Sequence, residues 1–259
     1  MRLDRFLSGQ TAGSRKDAVQ AIRHGAVTVN GVPVRDPAKH IDPEKDAVTM
    51  QGKEIRYEIQ RYFLMHKPAG VITASRDPKQ KTVLDLLKPE DHFPDIAPVG
   101  RLDLDTAGLL LLTDDGKLAH RLISPAHHIP KYYMVWLRDP FAEEIIPKFR
   151  EGILLREGDS EEQCLPAECV KLDSHIALLE LREGKYHQVK RMFAAAGNHV
   201  EHLLRVQFGG LFLPPDLPKT AYTQIFQKEI NILCGDSSIF EIAPKCMYNY
   251  SSYWINETE

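Results

Sequence analysis

Leu3, Phe6 and Leu7 recur at helical spacing, and Arg2, Asp4 and Arg5 stand between them. That spacing predicts a short first helix. Ser14 reads as the N-cap of a second, with Ala18, Val19 and Ile22 on its apolar side and Gly25 as its C-cap. From residue 27 the period falls to two. Val27-Thr28-Val29 and Val32-Pro33-Val34 flank Asn30-Gly31, a pair that favours tight hairpins. Residues 42–46 read as a turn, and 48–59 as one or two further strands.

Beyond residue 60, short β-like runs alternate with helical patterns. Strands are predicted at 62–65, 71–73, 109–113, 133–137, 176–181 and 209–213, and helices at 82–87, 117–122, 142–151 and 187–196. The whole reads as α+β: a small helix-rich unit over 1–59, then a mixed-sheet domain over 60–231. After Asn231 the period is lost, and 232–259 read as a C-terminal tail of unknown role.

Composition changes this picture in only two places. The 259 residues suit two domains, and 43% hydrophobic content allows a sizeable core. A net charge of −3 argues against a polyanionic partner unless the positive charge is local. It is local. Residues 1–39 carry seven Lys/Arg against three Asp, a net of +4, with Arg15, Lys16 and Arg23 on or beside the second helix. Residues 182–205 carry five Lys/Arg against two Glu, a net of +3. Each cluster reads either as a solvated face or as a surface that neutralises phosphates. The four cysteines form no Cys-x-x-Cys pair, so a metal site is not expected and free thiols are. With no secretory h-region near residue 1 and no apolar run of membrane length, a cytoplasmic location without membrane contact is expected.

Four segments could carry chemistry. In Gly100-Arg101-Leu102-Asp103-Leu104-Asp105-Thr106-Ala107-Gly108, two glycines punctuate a loop ahead of a leucine run that must be core. Asp103 and Asp105 could instead be a metal-holding acid pair, although no further carboxylate or histidine motif supports that. In Glu183-Gly184-Lys185-Tyr186-His187-Gln188-Val189-Lys190-Arg191, a glycine bend leads into a helix flanked by cations. His127-His128 precedes Lys131-Tyr132-Tyr133; adjacent histidines in a strand face opposite ways, and a tyrosine there is either half-core or a stacking platform for a base. Lys67-Pro68-Ala69-Gly70-Val71 alone is a strand-end turn.

Taken together, and in their order along the chain, the four segments resemble the pseudouridine synthases, in the branch that includes ribosomal small-subunit pseudouridine synthase A. Residues 2–34 resemble the small RNA-binding domain of the S-four type that commonly precedes that catalytic domain. The resemblance implies isomerisation of a uridine in ribosomal RNA, most simply that of the small subunit. Large-subunit RNA, or a non-catalytic assembly role, stands as the alternative. It implies Asp103 as the catalytic carboxylate, Lys190 as the cation that keeps it charged, and Tyr133 as the ring that stacks on uracil. It makes Arg101 a contact that helps hold the flipped nucleotide. Further RNA contacts are expected from Arg2, Arg5, Arg15, Lys16, Arg23, Lys67, Lys131, Lys185, His187, Gln188 and Arg191. No cofactor and no metal are implied. The expected partner is ribosomal RNA or an assembly intermediate, met by a monomer. Two stretches depart from the family pattern: 224–229, and everything after Asn231.

Overall fold

The structure, a computed structural model, describes residues 1–254 apart from 12, 59, 94, 158 and 159. The expected boundary residue Ile59 and tail positions 255–259 lie outside the described residues.

The N-terminal unit packs α1 (Leu3–Gln10) and α2 (Arg15–Arg23) with a sheet of β1 (Val27–Val29), β2 (Val32–Pro33), β3 (Val48–Met50) and β4 (Lys53–Ile55), in the order β2-β1-β3-β4. Leu3, Phe6, Leu7, Ala18 and Ile22 supply the helical half of its core, and Val27, Val29 and Val48 the strand half. Ser14 caps α2 in a reciprocal box: its hydroxyl accepts the Asp17 N–H, and the Asp17 carboxylate accepts the Ser14 N–H at 2.9 Å. Asp4 is buried under two guanidinium groups, Arg2 at 2.9 Å and Arg15 at 3.1 Å. The Arg2 hydrogen bond is the main cause of a carboxyl held down to about 2, against the opposing effect of burial.

Arg61 ties this unit to the rest of the chain. It is 5% exposed, pairs with Asp114 at 2.9 Å, and donates to Gly9 O and to Gln10 Oε1. The Phe93 ring lies 3.6 Å from its guanidinium carbon.

The second part is built on a mixed sheet. Its members are β5 (Tyr62–Lys67), β6 (Ala97–Pro98), β7 (Thr106–Thr113), β8 (Lys131–Leu137), then β11 (Cys169–Asp173), β12 (Ile176–Leu181), β13 (Val200–Phe208), β14 (Leu211–Phe212) and β15 (Tyr222–Ile225). A separate hairpin joins β9 (Leu154–Glu157) to β10 (Ser160–Gln163). The main path runs β11-β12-β8-β13-β7-β5-β15, with β14 on β13 and β6 on β7. Among the described strands only β7 and β13 pair in parallel. They approach closely at Gly108. Its φ is +115°, and a Cβ there would lie 2.3 Å from the Arg205 carbonyl oxygen.

Successive residues of a strand face opposite sides, and the two faces carry separate cores. Leu109, Leu111, Met134, Trp136 and Leu204 look towards α3 (Gly116–Ile123), α6 (Gln227–Ile232) and α7 (Ile239–Tyr250). Leu110, Leu112, Tyr133, Val135 and Leu203 look towards α4 (Ile145–Arg150) and α5 (Gln188–Ala195). Among the described residues no helix is long and apolar enough to cross a membrane.

Several expected elements differ. Of the strand expected at 209–213 only Leu211–Phe212 (β14) forms, because Gly209-Gly210 makes the turn that joins it to β13, a strand that was not expected. Residues 71–73 make only an isolated bridge between Ile72 and Thr82, and the helix expected at 82–87 shrinks to a 3₁₀ turn at Leu84–Leu86. The segment after Asn231 is packed structure. Ile239, Ile242, Cys246 and Tyr250 of α7, and Trp254 beyond it, are buried in the core on that face. Trp254 stacks on His202 at 4.5 Å. Tyr253 hydrogen-bonds His66 Nε2 at 2.6 Å, while His66 Nδ1 donates to Leu217 O.

Candidate active site

Asp103 owes its place to a loop whose main-chain atoms are gripped from several sides. The Thr73 hydroxyl donates to Leu102 O at 2.8 Å and accepts the Leu102 N–H at 3.1 Å. Lys67 is fully buried at the end of β5, and its ammonium donates to Pro68 O, Asp103 O and Thr106 O at 2.8–3.0 Å. The Gly70 N–H donates to Leu104 O. Lys67 therefore holds the loop and has no face to offer RNA, which corrects the expectation of a contact there. Burial pulls its pKa down to about 8, only partly offset by Asp103 and Asp105.

The loop opens on a cavity of about 660 Å³. β8 contributes Lys131 and Tyr133, two residues apart and so on one face. β13 contributes Leu203 and Arg205, and Arg205 is the register partner of Tyr133. The bend before α5 supplies Lys185, Tyr186 and His187. His187 adopts the left-handed conformation, φ +46°, uncommon for a residue with a side chain. That backbone aims its ring so that Nε2 lies 3.6 Å from Asp103 Oδ1, and Tyr186, 71% exposed, stacks on the ring at 3.9 Å. Arg101 is exposed at the rim.

The structure thus brings Asp103, Tyr133, Arg101, Lys131, Lys185 and His187 around one cavity. Lys131 is half-buried, and burial is the first cause of a pKa near 8, with Arg205 the second. Lys190 lies elsewhere. Its ammonium pairs with Asp105 at 2.6 Å, so the counter-ion expected for Asp103 serves its neighbour. The two acids diverge: Asp103 faces the cavity and His187, and Asp105 faces α5. Burial works against the Asp105 charge, but Lys190 outweighs it and holds the carboxyl below its ordinary range.

Gln188 also lines the cavity; it is largely buried, accepts the Lys185 N–H and donates to Glu183 at 2.6 Å, so it shapes the bend. Lys185 pairs with Glu162 and Glu183, and Arg191 with Glu162. On the N-terminal unit, Arg2 and Arg15 bind Asp4, whereas Arg5, Lys16 and Arg23 are exposed and make no ion pair among the described residues.

Two cavity residues escaped the sequence reading. Arg205 is 2% exposed and Thr106 1%. The signal for Arg205 was present: a cation inside the apolar run Leu203-Leu204-Arg205-Val206, where burial demands a reason.

Most of the chain is similar to known proteins. A family model described as RNA pseudouridylate synthase matches residues 61–195, and the S4 domain model matches residues 1–47. An uncharacterized RNA pseudouridine synthase of Bacillus subtilis is 41% identical over 235 residues, 90% of this chain and 98% of the relative. Ribosomal small subunit pseudouridine synthase A of Vibrio cholerae is 42% identical, and its namesake in Escherichia coli 40%. Each alignment covers 89% of this chain and 98% of the relative. A crystal structure of a pseudouridylate synthase superposes with a TM-score of 0.63 at 38% identity, covering 90% of this chain and 99% of the other.

Proposed function

Because the chain belongs to the RNA pseudouridylate synthase family, we propose that it converts one uridine of small-subunit ribosomal RNA to pseudouridine. The target follows the name borne by the Vibrio cholerae and Escherichia coli relatives. We read it as a cytoplasmic monomer that acts on the RNA or an assembly intermediate, as a step of ribosome biogenesis. The observation that carries the reading is the convergence of Asp103, Tyr133 and His187, from three separate segments, on one cavity.

The reaction breaks the N1–C1′ bond, turns the base, and joins C1′ to C5, with no net redox change. It needs a carboxylate beside the sugar, a surface for the loose base, and exclusion of water. Asp103 is the carboxylate. The Tyr133 ring takes the face of the uracil, a stacking contact worth about 1–3 kcal/mol. Arg101 meets the RNA at the rim and offsets the few kcal/mol that unstacking the target costs. Lys190 acts at one remove, by fixing Asp105 and with it the loop. Mapping pseudouridine in both ribosomal RNAs of a deletion strain tests the assignment. One small-subunit position should lose the modification and regain it from a wild-type copy. Loss in large-subunit RNA would move the target, and loss in neither would remove the function.

For the N-terminal unit we assign Arg5, Lys16 and Arg23 to phosphate contacts, with the outer faces of Arg2 and Arg15 beside them. Deleting the unit would strip Arg61 of its Gly9 and Gln10 partners, so charge removal is the cleaner test. The triple substitution Arg5→Gln, Lys16→Gln, Arg23→Gln should flatten the slope of log affinity against log salt by about 2–3, at roughly 0.7–0.9 per phosphate contact. Turnover on saturating RNA should not change. An unaltered slope would make these cations a solvated face.

A further inference from the structure

We infer that Arg205 touches the substrate: its terminal guanidinium nitrogens bind a carbonyl oxygen of the target uracil at the floor of the cavity, beside the Thr106 hydroxyl. The inference rests on the pseudouridine synthase reading of this site.

Arg205 lies in the middle of β13 and is 2% exposed. Its Nε donates to Leu109 O at 2.8 Å, and Phe208 lies 5.1 Å from its guanidinium carbon. Among the described residues neither terminal nitrogen has a hydrogen-bond partner, and no carboxylate forms an ion pair with it; Nη2 is wholly buried. Thr106 Oγ1, on the neighbouring strand β7, is likewise buried without a partner. A buried charge and a buried hydroxyl left unmatched each cost free energy. Two of them lining one cavity mark a place made for a polar occupant.

The surrounding charge says which kind. Lys131 lines the same cavity as Arg205, and the buried Lys67 lies behind it near enough for their charges to interact, so the surroundings are positive. Depth then selects between the oxygens of a nucleotide. The phosphates stay with the RNA chain, which enters and leaves at the mouth, where Arg101 is exposed. The base is the part that reaches the floor. Arg205 is also the register partner of Tyr133, the stacking ring, which puts its donors at the edge of a stacked base.

When the N1–C1′ bond breaks, its electron pair stays with the uracil and spreads over O2 and O4. The charge disappears once C5 has bonded to C1′, C5 has given up its hydrogen to solvent, and N1 has taken a proton. Donors fixed at a carbonyl oxygen in a site closed to water stabilise that interval without having to reorganise.

The test uses the full-length enzyme and a ribosomal RNA fragment labelled with tritium at C5 of uridine. Arg205→Met should lower kcat about a hundredfold and leave RNA affinity within about threefold. It should not lower the melting temperature, because an unmatched buried charge is being removed. Replacing the contacted oxygen with sulfur, in 2-thio- or 4-thiouridine at the target, should slow the wild-type enzyme and have no further effect on Arg205→Met. Weaker RNA binding with kcat preserved would assign Arg205 to a phosphate and overturn the proposal. Activity and melting temperature falling together, with independent effects of the sulfur, would make it structural and overturn it equally. Should Arg205→Met not fold, Arg205→Lys carries the same comparison. A wild-type enzyme that releases no label would refute the functional reading itself, a result distinct from any of these.

Discussion

Asp103→Asn should abolish isomerisation while the protein folds and binds RNA as before. The loop around Asp103 is held through main-chain oxygens. Lys67 takes Asp103 O and Thr106 O, and the Thr73 hydroxyl clasps Leu102. None of these contacts uses the Asp103 carboxylate, whose near neighbour is His187 Nε2 at 3.6 Å. Asparagine keeps the size and removes the charge, so the melting temperature should not move. Release of label from C5 should fall about a thousandfold or more, the scale of losing one positioned acid–base or nucleophilic group. Asp105→Asn is the control. Asp105 is mostly exposed and bound to Lys190, so its loss should loosen the loop and cost far less. Turnover retained in Asp103→Asn would take Asp103 out of the mechanism. Equal losses in the two variants would favour an acid pair acting together, which the divergence of the two side chains speaks against.

A large loss of stability is expected for Gly108→Ala. The sequence reading placed Gly108 in the loop ahead of the leucine strand, but it lies within β7, opposite Arg205 in the parallel pairing. A methyl group there meets the Arg205 carbonyl oxygen at 2.3 Å and its amide nitrogen at 2.6 Å, both rigid backbone. Its φ of +115° is also one that only glycine adopts freely. Backbone strain of about 1–3 kcal/mol and overpacking of about 1–3 kcal/mol would together remove much of a stability that is ordinarily about 5–15 kcal/mol. The urea midpoint should fall sharply. The enzyme that still folds should also be slow, because the same displacement moves Arg205 and the Asp103 loop apart. A midpoint equal to that of the wild type would mean that β7 and β13 separate without penalty.

The parts of this fold that could be read from sequence are those governed by local rules. Ser14 announced a helix start, and Asn30-Gly31 a hairpin, because capping and turn geometry involve residues a few positions apart. The leucines at 109–112 announced a buried strand. What escaped depends on contacts distant in sequence. β13 was missed because buried Arg205 and Gln207 interrupt its apolar pattern, and only the assembled cavity and sheet explain their burial. Lys67 reads as a free cation until Asp103 and Thr106, 36 and 39 residues away, present their carbonyls to it. Lys190 and Asp105 are 85 residues apart, and nothing local decides which acid of the pair it chooses. In α7 the spacing of Ile239, Ile242, Cys246 and Tyr250 is helical, but it begins earlier than the aromatic stretch that draws the eye, and Pro244 masks it.

The position of α7 also sets an order of events during synthesis. Every strand of the sheet leaves the ribosome before the helix that covers it. Until translation has passed Trp254, Trp136, Leu178 and His202 face water, and His66 lacks its tyrosine. Until α7 has emerged the nascent chain therefore carries an incompletely covered apolar sheet face, the stage at which aggregation competes with folding. The cavity side depends on residues that have all emerged by Phe208. One face of the enzyme is thus complete in sequence well before the other is sheltered.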